Sequence, residues 1–317
     1  MDYEDVINFN LSAYNETEEI NPQSFNDSLA HEILFGLCCT AAFFADLSIV
    51  YTILYFKRMR TVSNILIANW AIFDILTLLV TPSGYRLIFL FEHLTVPRTF
   101  LCVLFKLGSG LHLNLIFYVF IVLIDWSLAA YFPKISKKIR VFYKYILGFS
   151  WAVLIILSIV YVNTCRTLYF YNYFNVIAML ITFSTMTLYI IVLHCVRAVQ
   201  KCRRVPQDYS NVSLYLITSF VCCNILAFFN LLLIEFNSLY EPIYATIGAC
   251  AAFCNSIVTL TLLYFFDRNF KAYFLQILRC NAKKYESQIN DNDFQHNDFT
   301  VQVSFHTPTE ELLSNAY

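Results

Sequence analysis

Seven stretches of this chain, roughly residues 33–56, 64–91, 100–132, 141–163, 174–199, 210–236 and 241–266, are each long and apolar enough to cross the hydrocarbon core of a bilayer. A water-soluble fold does not accommodate that pattern. Of the 317 residues 59% are hydrophobic and 14% charged, too little charge to cover a water-facing surface, and mean hydropathy is +0.59. Short connections between the stretches suit neighbouring helices that run up and down. The expected fold is an all-α membrane protein, a seven-transmembrane helix bundle over residues 32–267. In residues 268–280, Phe270, Tyr273, Phe274, Ile277 and Leu278 recur at helical spacing, which predicts a short amphipathic eighth helix on the membrane surface. Residues 281–317 are polar and expected to be disordered. Residues 1–31 are an acidic, polar tail, so no cleavable leader is expected and the first span is expected to direct insertion.

Charge fixes the expected orientation. Lys57, Arg58 and Arg60 follow the first span; Lys134, Lys137, Lys138, Arg140 and Lys144 surround the start of the fourth. Arg197, Lys201, Arg203 and Arg204 lie between the fifth and sixth, and Arg268, Lys271, Arg279, Lys283 and Lys284 follow the seventh. These are 17 of the 21 basic residues, which puts that side in the cytoplasm and the N-terminus outside a plasma membrane. The sequons at Asn10, Asn15 and Asn26 agree, because N-glycosylation acceptors face the secretory lumen. The sequon at Asn211 falls on the cytoplasmic side and should stay bare.

Polar groups inside the spans carry the chemistry. Asp46 and Asp74 sit near mid-span, where a charge costs roughly 2.5–3.5 kcal/mol on insertion scales, so both should face the bundle. Asn255 and Ser256 are natural partners for them. The cluster reads either as a site for a sodium ion or a proton, or as a hydrogen-bonded structural knot in which the two acids share one proton. Nearer the outer face, Tyr85, Arg86, Lys106, His112, Asn230, Glu235 and Tyr244 offer convergent polar groups in an apolar cleft, the usual form of a ligand site. Lys106 and His112 are the strongest candidates, since the third span should be central; others of the set would instead snorkel to headgroups. Cys280, beside Arg279 and Lys283, reads as an S-palmitoylation site or a plain interfacial cysteine. Tyr3 and Tyr14 lie among acids that suit tyrosine sulfation and attraction of a basic peptide; a solvated tail without a partner is the plainer reading. No nucleotide loop, Ser/His/Asp pattern or zinc spacing is present, so no enzyme is expected, nor a nucleic-acid partner; besides the ion, no cofactor is foreseen.

Landmarks along the chain resemble the rhodopsin family (class A) of G-protein-coupled receptors over roughly residues 30–280. Lys57 to Asn64 resembles the family's first inner loop, and Asn69-Trp70-Ala71-Ile72-Phe73-Asp74 its Asn-Leu-Ala-x-x-Asp pattern. Pro82 stands where many peptide receptors carry a kink, and Asp125 to Pro133 lines up with Asp-Arg-Tyr-x-Ala-x-x-x-Pro. Ser150-Trp151 matches the span-four tryptophan, and Asn255-Ser256 with Phe265 to Lys271 resembles the run into the eighth helix. The resemblance implies a disulfide between Cys102 and Cys165; two free thiols are the alternative.

Departures cluster at the family's switch. Trp126 replaces its arginine and Ser127 its tyrosine, so Asp125 is expected to lack a neighbouring cation, which would favour an active state without ligand. Span six reads Phe220-x-x-Cys223-Asn224-x-Leu226, without the family's tryptophan and proline, and Thr259-Leu260-Thr261-Leu262-Leu263 replaces Asn-Pro-x-x-Tyr. Asp46 occupies the place of an asparagine. A retained scaffold with an eroded switch is similar to receptors encoded by herpesviruses and to atypical chemokine-scavenging receptors, the former carried by host cell membranes. The implied partners are an extracellular ligand such as a peptide or chemokine, a heterotrimeric G protein, and membrane lipid. Arrestin would join them if Ser287, Thr300, Ser304, Thr307, Thr309 and Ser314 are phosphorylated. The competing expectation is a non-signalling decoy or scavenger, or a modulator of other receptors. A channel or transporter fits poorly, because only six Gly and seven Pro occur, without internal symmetry.

Overall fold

The computed structural model describes residues 22–90, 98–164, 172–203, 211–237 and 242–279. Among them there is no strand. The helices are α1 (Pro22–Tyr55), α2 (Val62–Leu90), α3 (Arg98–Tyr131), α4 (Pro133–Arg140), α5 (Tyr143–Thr164), α6 (Asn172–Cys202), α7 (Val212–Asn237), α8 (Pro242–Phe266) and α9 (Arg268–Arg279), with one 3-10 turn at Lys57–Met59. Six are long and apolar enough to cross a membrane, or up to seven if the pair Pro133–Arg140 and Tyr143–Leu157, bent by 58°, counts as one span.

Helix is the form this composition demands, because only a helix or a closed barrel satisfies its own backbone in hydrocarbon. Hydroxyls on these helices follow the same rule. Thr52, Thr77, Thr182, Thr187 and Thr218 each donate to the carbonyl four residues earlier, at 2.7–2.8 Å. Three prolines, Pro22, Pro133 and Pro242, stand at the first residue of a helix, where a missing N–H costs nothing. Pro22 also marks the difference from the expected first span: α1 starts well before residue 33, taking in part of the presumed tail. The structure also separates α4 from α5, where a loop was expected.

Basic and acidic side chains close the helix ends. The Arg60 guanidinium donates to the Leu54 carbonyl at 3.0 and 2.6 Å, meeting the orphan acceptors at the end of α1. Asp267 caps α9, its Oδ1 accepting from the amides of Asn269 and Phe270, both at 3.0 Å. The apolar face of α9 buries Phe270 and Tyr273, and Tyr273 lies 4.3 Å from Phe56 between ring centroids.

Helix α3 is central, touching α2, α4, α5, α6 and α7, while α8 packs on α1, α2, α7 and α9. The surface is inverted relative to a soluble protein: Leu37, Phe149, Leu188 and Phe265 are all more than 60% exposed, whereas Asp46, Asp74 and Asp125 are buried. Where α7 and α8 meet, a Cβ on Gly248 would lie 3.1 Å from both Cα and N of Ala227. Close backbone approach at small residues is how apolar helices gain dispersion contact without a hydrophobic drive. Gly248→Val should therefore force α7 and α8 apart and cost about 1–3 kcal/mol. Thermal unfolding of the purified protein is expected to show a lower midpoint, and Gly248→Ala, which adds only the Cβ, is expected to lower it less than Gly248→Val.

Candidate functional site

Four residues from three helices converge in the middle of the bundle. Asp46 on α1 stands against Asp74 on α2 and Ser256 on α8, and all are buried. Ser256 donates to Asp74 Oδ2 at 2.9 Å, joining positions 182 apart in sequence. Asn255 packs beside them with Oδ1 buried and without a hydrogen-bond donor, as are Asp46 Oδ2 and Thr259 Oγ1. Buried oxygens that accept nothing are costly, and a proton, a water or a hard cation would satisfy them. A small cavity opens from Asp74 and is lined by Thr77, His112, Asn224 and Asn255 among apolar side chains.

This cavity redistributes the expected ligand residues. His112 lines it together with Asp74, so it belongs with the central acids rather than with an outer cleft. Its ring also lies 6.0 Å from Phe228, which stacks on Phe183 at 3.8 Å. Lys106 is buried on α3, six residues earlier and about 9 Å along the helix. Asn230, on α7, has a buried Oδ1 without a partner. For Tyr85, Arg86, Glu235 and Tyr244 only the backbone is described, in α2, α2, α7 and α8. Asn224 was legible as a missing tryptophan but not as part of the cavity. It is buried, and its amide donates to the Phe220 carbonyl at 2.9 Å, one turn back.

At the other end of α3, the expectation that Asp125 lacks a neighbouring cation is overturned by Arg140. The guanidinium on α4 donates through Nε to Oδ1 and through Nη2 to Oδ2, each at 3.2 Å, a two-point ion pair with both side chains largely buried. Tyr143 donates to Oδ1 and Ser63 to Oδ2, both at 2.8 Å, so α2, α3, α4 and α5 meet at one carboxylate. After α3 ends at Tyr131, Pro133 starts α4 in a new direction, which returns Arg140 to Asp125. Trp126 is fully buried, with the Arg197 guanidinium over its ring at 4.5 Å. Ser127 accepts a hydrogen bond from Tyr189 at 3.0 Å. Arg140, Tyr143, Ser63 and Arg197 escaped the sequence reading, because none is near Asp125 in a linear pattern.

Other expected features divide by what is described. Trp151 donates to Asn69 Oδ1 at 3.2 Å, and Tyr118 is hydrogen-bonded to Ser150, tying α5 to α2 and α3. Cys102 is not one of the eight free cysteines among the described residues. Cys165, Cys280, Tyr3, Tyr14, Asn10, Asn15 and the tail hydroxyls lie outside the described residues, and Asn26 is described only as backbone within α1.

Removing one partner of a buried ion pair strands the other, so Arg140→Met alone should cost about 3–5 kcal/mol. The pair Asp125→Leu with Arg140→Met should recover most of that in thermal unfolding, and additive losses would show that the two groups are not coupled. No protein-family model matches this chain, and no curated protein sequence matches it.

Proposed function

We propose that the chain is a seven-span cell-surface receptor of the rhodopsin type, with a divergent switch, its N-terminus outside and its C-terminus in the cytoplasm. The observation that carries this reading is the meeting of Asp46, Asp74, Asn255 and Ser256 in one buried cluster, at residues the resemblance singled out. Intramembrane acids that face the bundle and each other are functional by default. The seventh span is α5: 22 residues reach about 33 Å, against roughly 30 Å of hydrocarbon. α9, capped by Asp267 and amphipathic, is the surface helix that follows the last span. A disulfide between Cys102 and Cys165 and glycans on Asn10, Asn15 and Asn26 complete the outer face. The ligand is a peptide or chemokine that meets the acidic tail and the outer bundle, with Lys106 below it. The central cluster holds a sodium ion or a proton.

Arg140 removes the argument for ligand-free activity, since Asp125 keeps a cation after all. One observation favours a second reading, a decoy or modulator that does not signal. Trp126 and Arg197 fill the inner end of α3 and α6, where a G protein would have to enter.

Two measurements test the proposal. Ligand-free G-protein activity should be low for the wild type, rise with Arg140→Ala, and change with Asp74→Asn, all at matched surface levels. Silence of every variant, across all G-protein families, would move the assignment to the decoy. Separately, enzymatic removal of N-glycans should shift the mass of the wild type but not of a variant with Asn10, Asn15 and Asn26 all changed to Gln. An unshifted wild type would reverse the orientation.

A further inference from the structure

The basic residues around α4 are unequal. Arg140 turns inward to Asp125, with Ser136 and Ile139 on the same face of the helix. Lys134, Lys137 and Lys138 are exposed on the opposite face, and Lys144 is exposed at the start of α5, above the Tyr145 ring at 5.0 Å. Among the described residues none of these four lysines has an ion-pair partner, and no Asp or Glu occurs between Asp125 and Asp208. Among the described residues, no carboxylate neutralises their charge.

Interleaved with the lysines are exposed apolar side chains. Ile135, Val141, Phe142 and Tyr145 are each about half exposed or more, and Phe149 continues the strip at 69%. This strip runs without a break from α4, through the 58° elbow, onto the outward face of α5, an apolar helix of spanning length. A surface that changes from purely apolar to apolar mixed with lysine over two turns is graded like a bilayer from tails to headgroups.

We propose that the α4–α5 elbow is a binding site for anionic phospholipid, with Ile135, Phe142 and Tyr145 set among the acyl chains and Lys134, Lys137, Lys138 and Lys144 on the headgroups. The inference rests on the membrane-spanning reading and not on receptor activity. Anionic lipid is concentrated in the cytoplasmic leaflet, and each lysine near such a surface favours it about fivefold. Because Arg140 on the inner face of the same helix holds Asp125, bound lipid would brace the contact at the inner end of α3.

The test uses the full chain in vesicles of phosphatidylcholine, with and without phosphatidylserine, and photoactivatable analogues of both lipids. Peptide mapping after irradiation should find residues 132–149 labelled at least about fivefold more by the serine lipid. The preference should vanish when the four lysines are all changed to Gln, persist when all are changed to Arg, and weaken with salt. All four side chains are exposed, so unfolding midpoints should not move; should the Gln variant fail to fold, the comparison of the two lipids on the wild type decides. Equal labelling by both lipids, or a preference that survives the Gln variant, would overturn the proposal. So would full competition by glycerophosphoserine, which would make the elbow a site for soluble anions. Labelling of an associated protein in cell membranes, in place of lipid, would overturn it as well.

Discussion

Three buried carboxylates govern how this bundle is arranged. Hydrocarbon offers Asp46, Asp74 and Asp125 no solvation, so each has to be met from within, and each solution ties helices that are distant in sequence. The solutions differ in kind. Asp125 is over-supplied: Arg140, Tyr143 and Ser63 all donate to its two oxygens. The central pair is less fully supplied: Ser256 and Asn255 donate to Asp74, while Asp46 Oδ2, Asn255 Oδ1 and Thr259 Oγ1 have no partner among the described residues. An over-supplied carboxylate fixes geometry, whereas an under-supplied one invites a guest or a change of protonation. Hydrogen-bond supply alone thus sets the end of α3 apart from the middle of the bundle.

Much of this arrangement was legible from residues. Apolar runs of spanning length are a strong one-dimensional signal, and the helices α2, α3, α5, α6, α7 and α8 begin and end within a few residues of them. Asp46, Asp74, Asn255 and Ser256 could be grouped because polar side chains in such runs have few partners to choose from. Helix α4 was illegible for the converse reason. Eight residues reading Pro-Lys-Ile-Ser-Lys-Lys-Ile-Arg carry the composition of a solvated loop, and nothing in that string says which cation turns inward. The depth of His112 was hidden too, since its neighbours in the cavity come from α2, α7 and α8 and depend on how those helices are tilted.

Cations from two other helices meet adjacent side chains, Asp125 and Trp126, near the end of α3. Trp126 puts a large flat side chain next to Asp125, and Arg197 from α6 brings a cation to the face of that ring. Asp125 takes its cation from α4. Arg140 thus balances the charge of Asp125, and the apolar interior does not have to hold a bare carboxylate.

Among the described helices, proline lies inside only one, at Pro82 of α2; α7 and α8 run from Val212 to Asn237 and from Pro242 to Phe266 with none in their interiors. Sharp bends in helices arise almost always at proline, at Gly/Ser pairs or at inserted turns. Without such a joint, and with Gly248 seated against the backbone of Ala227, these two helices make one stiff beam. A stiff beam pivots where it is held most firmly and swings its two ends in opposite directions. A displacement at one end of either helix therefore meets no proline joint within that helix to absorb it.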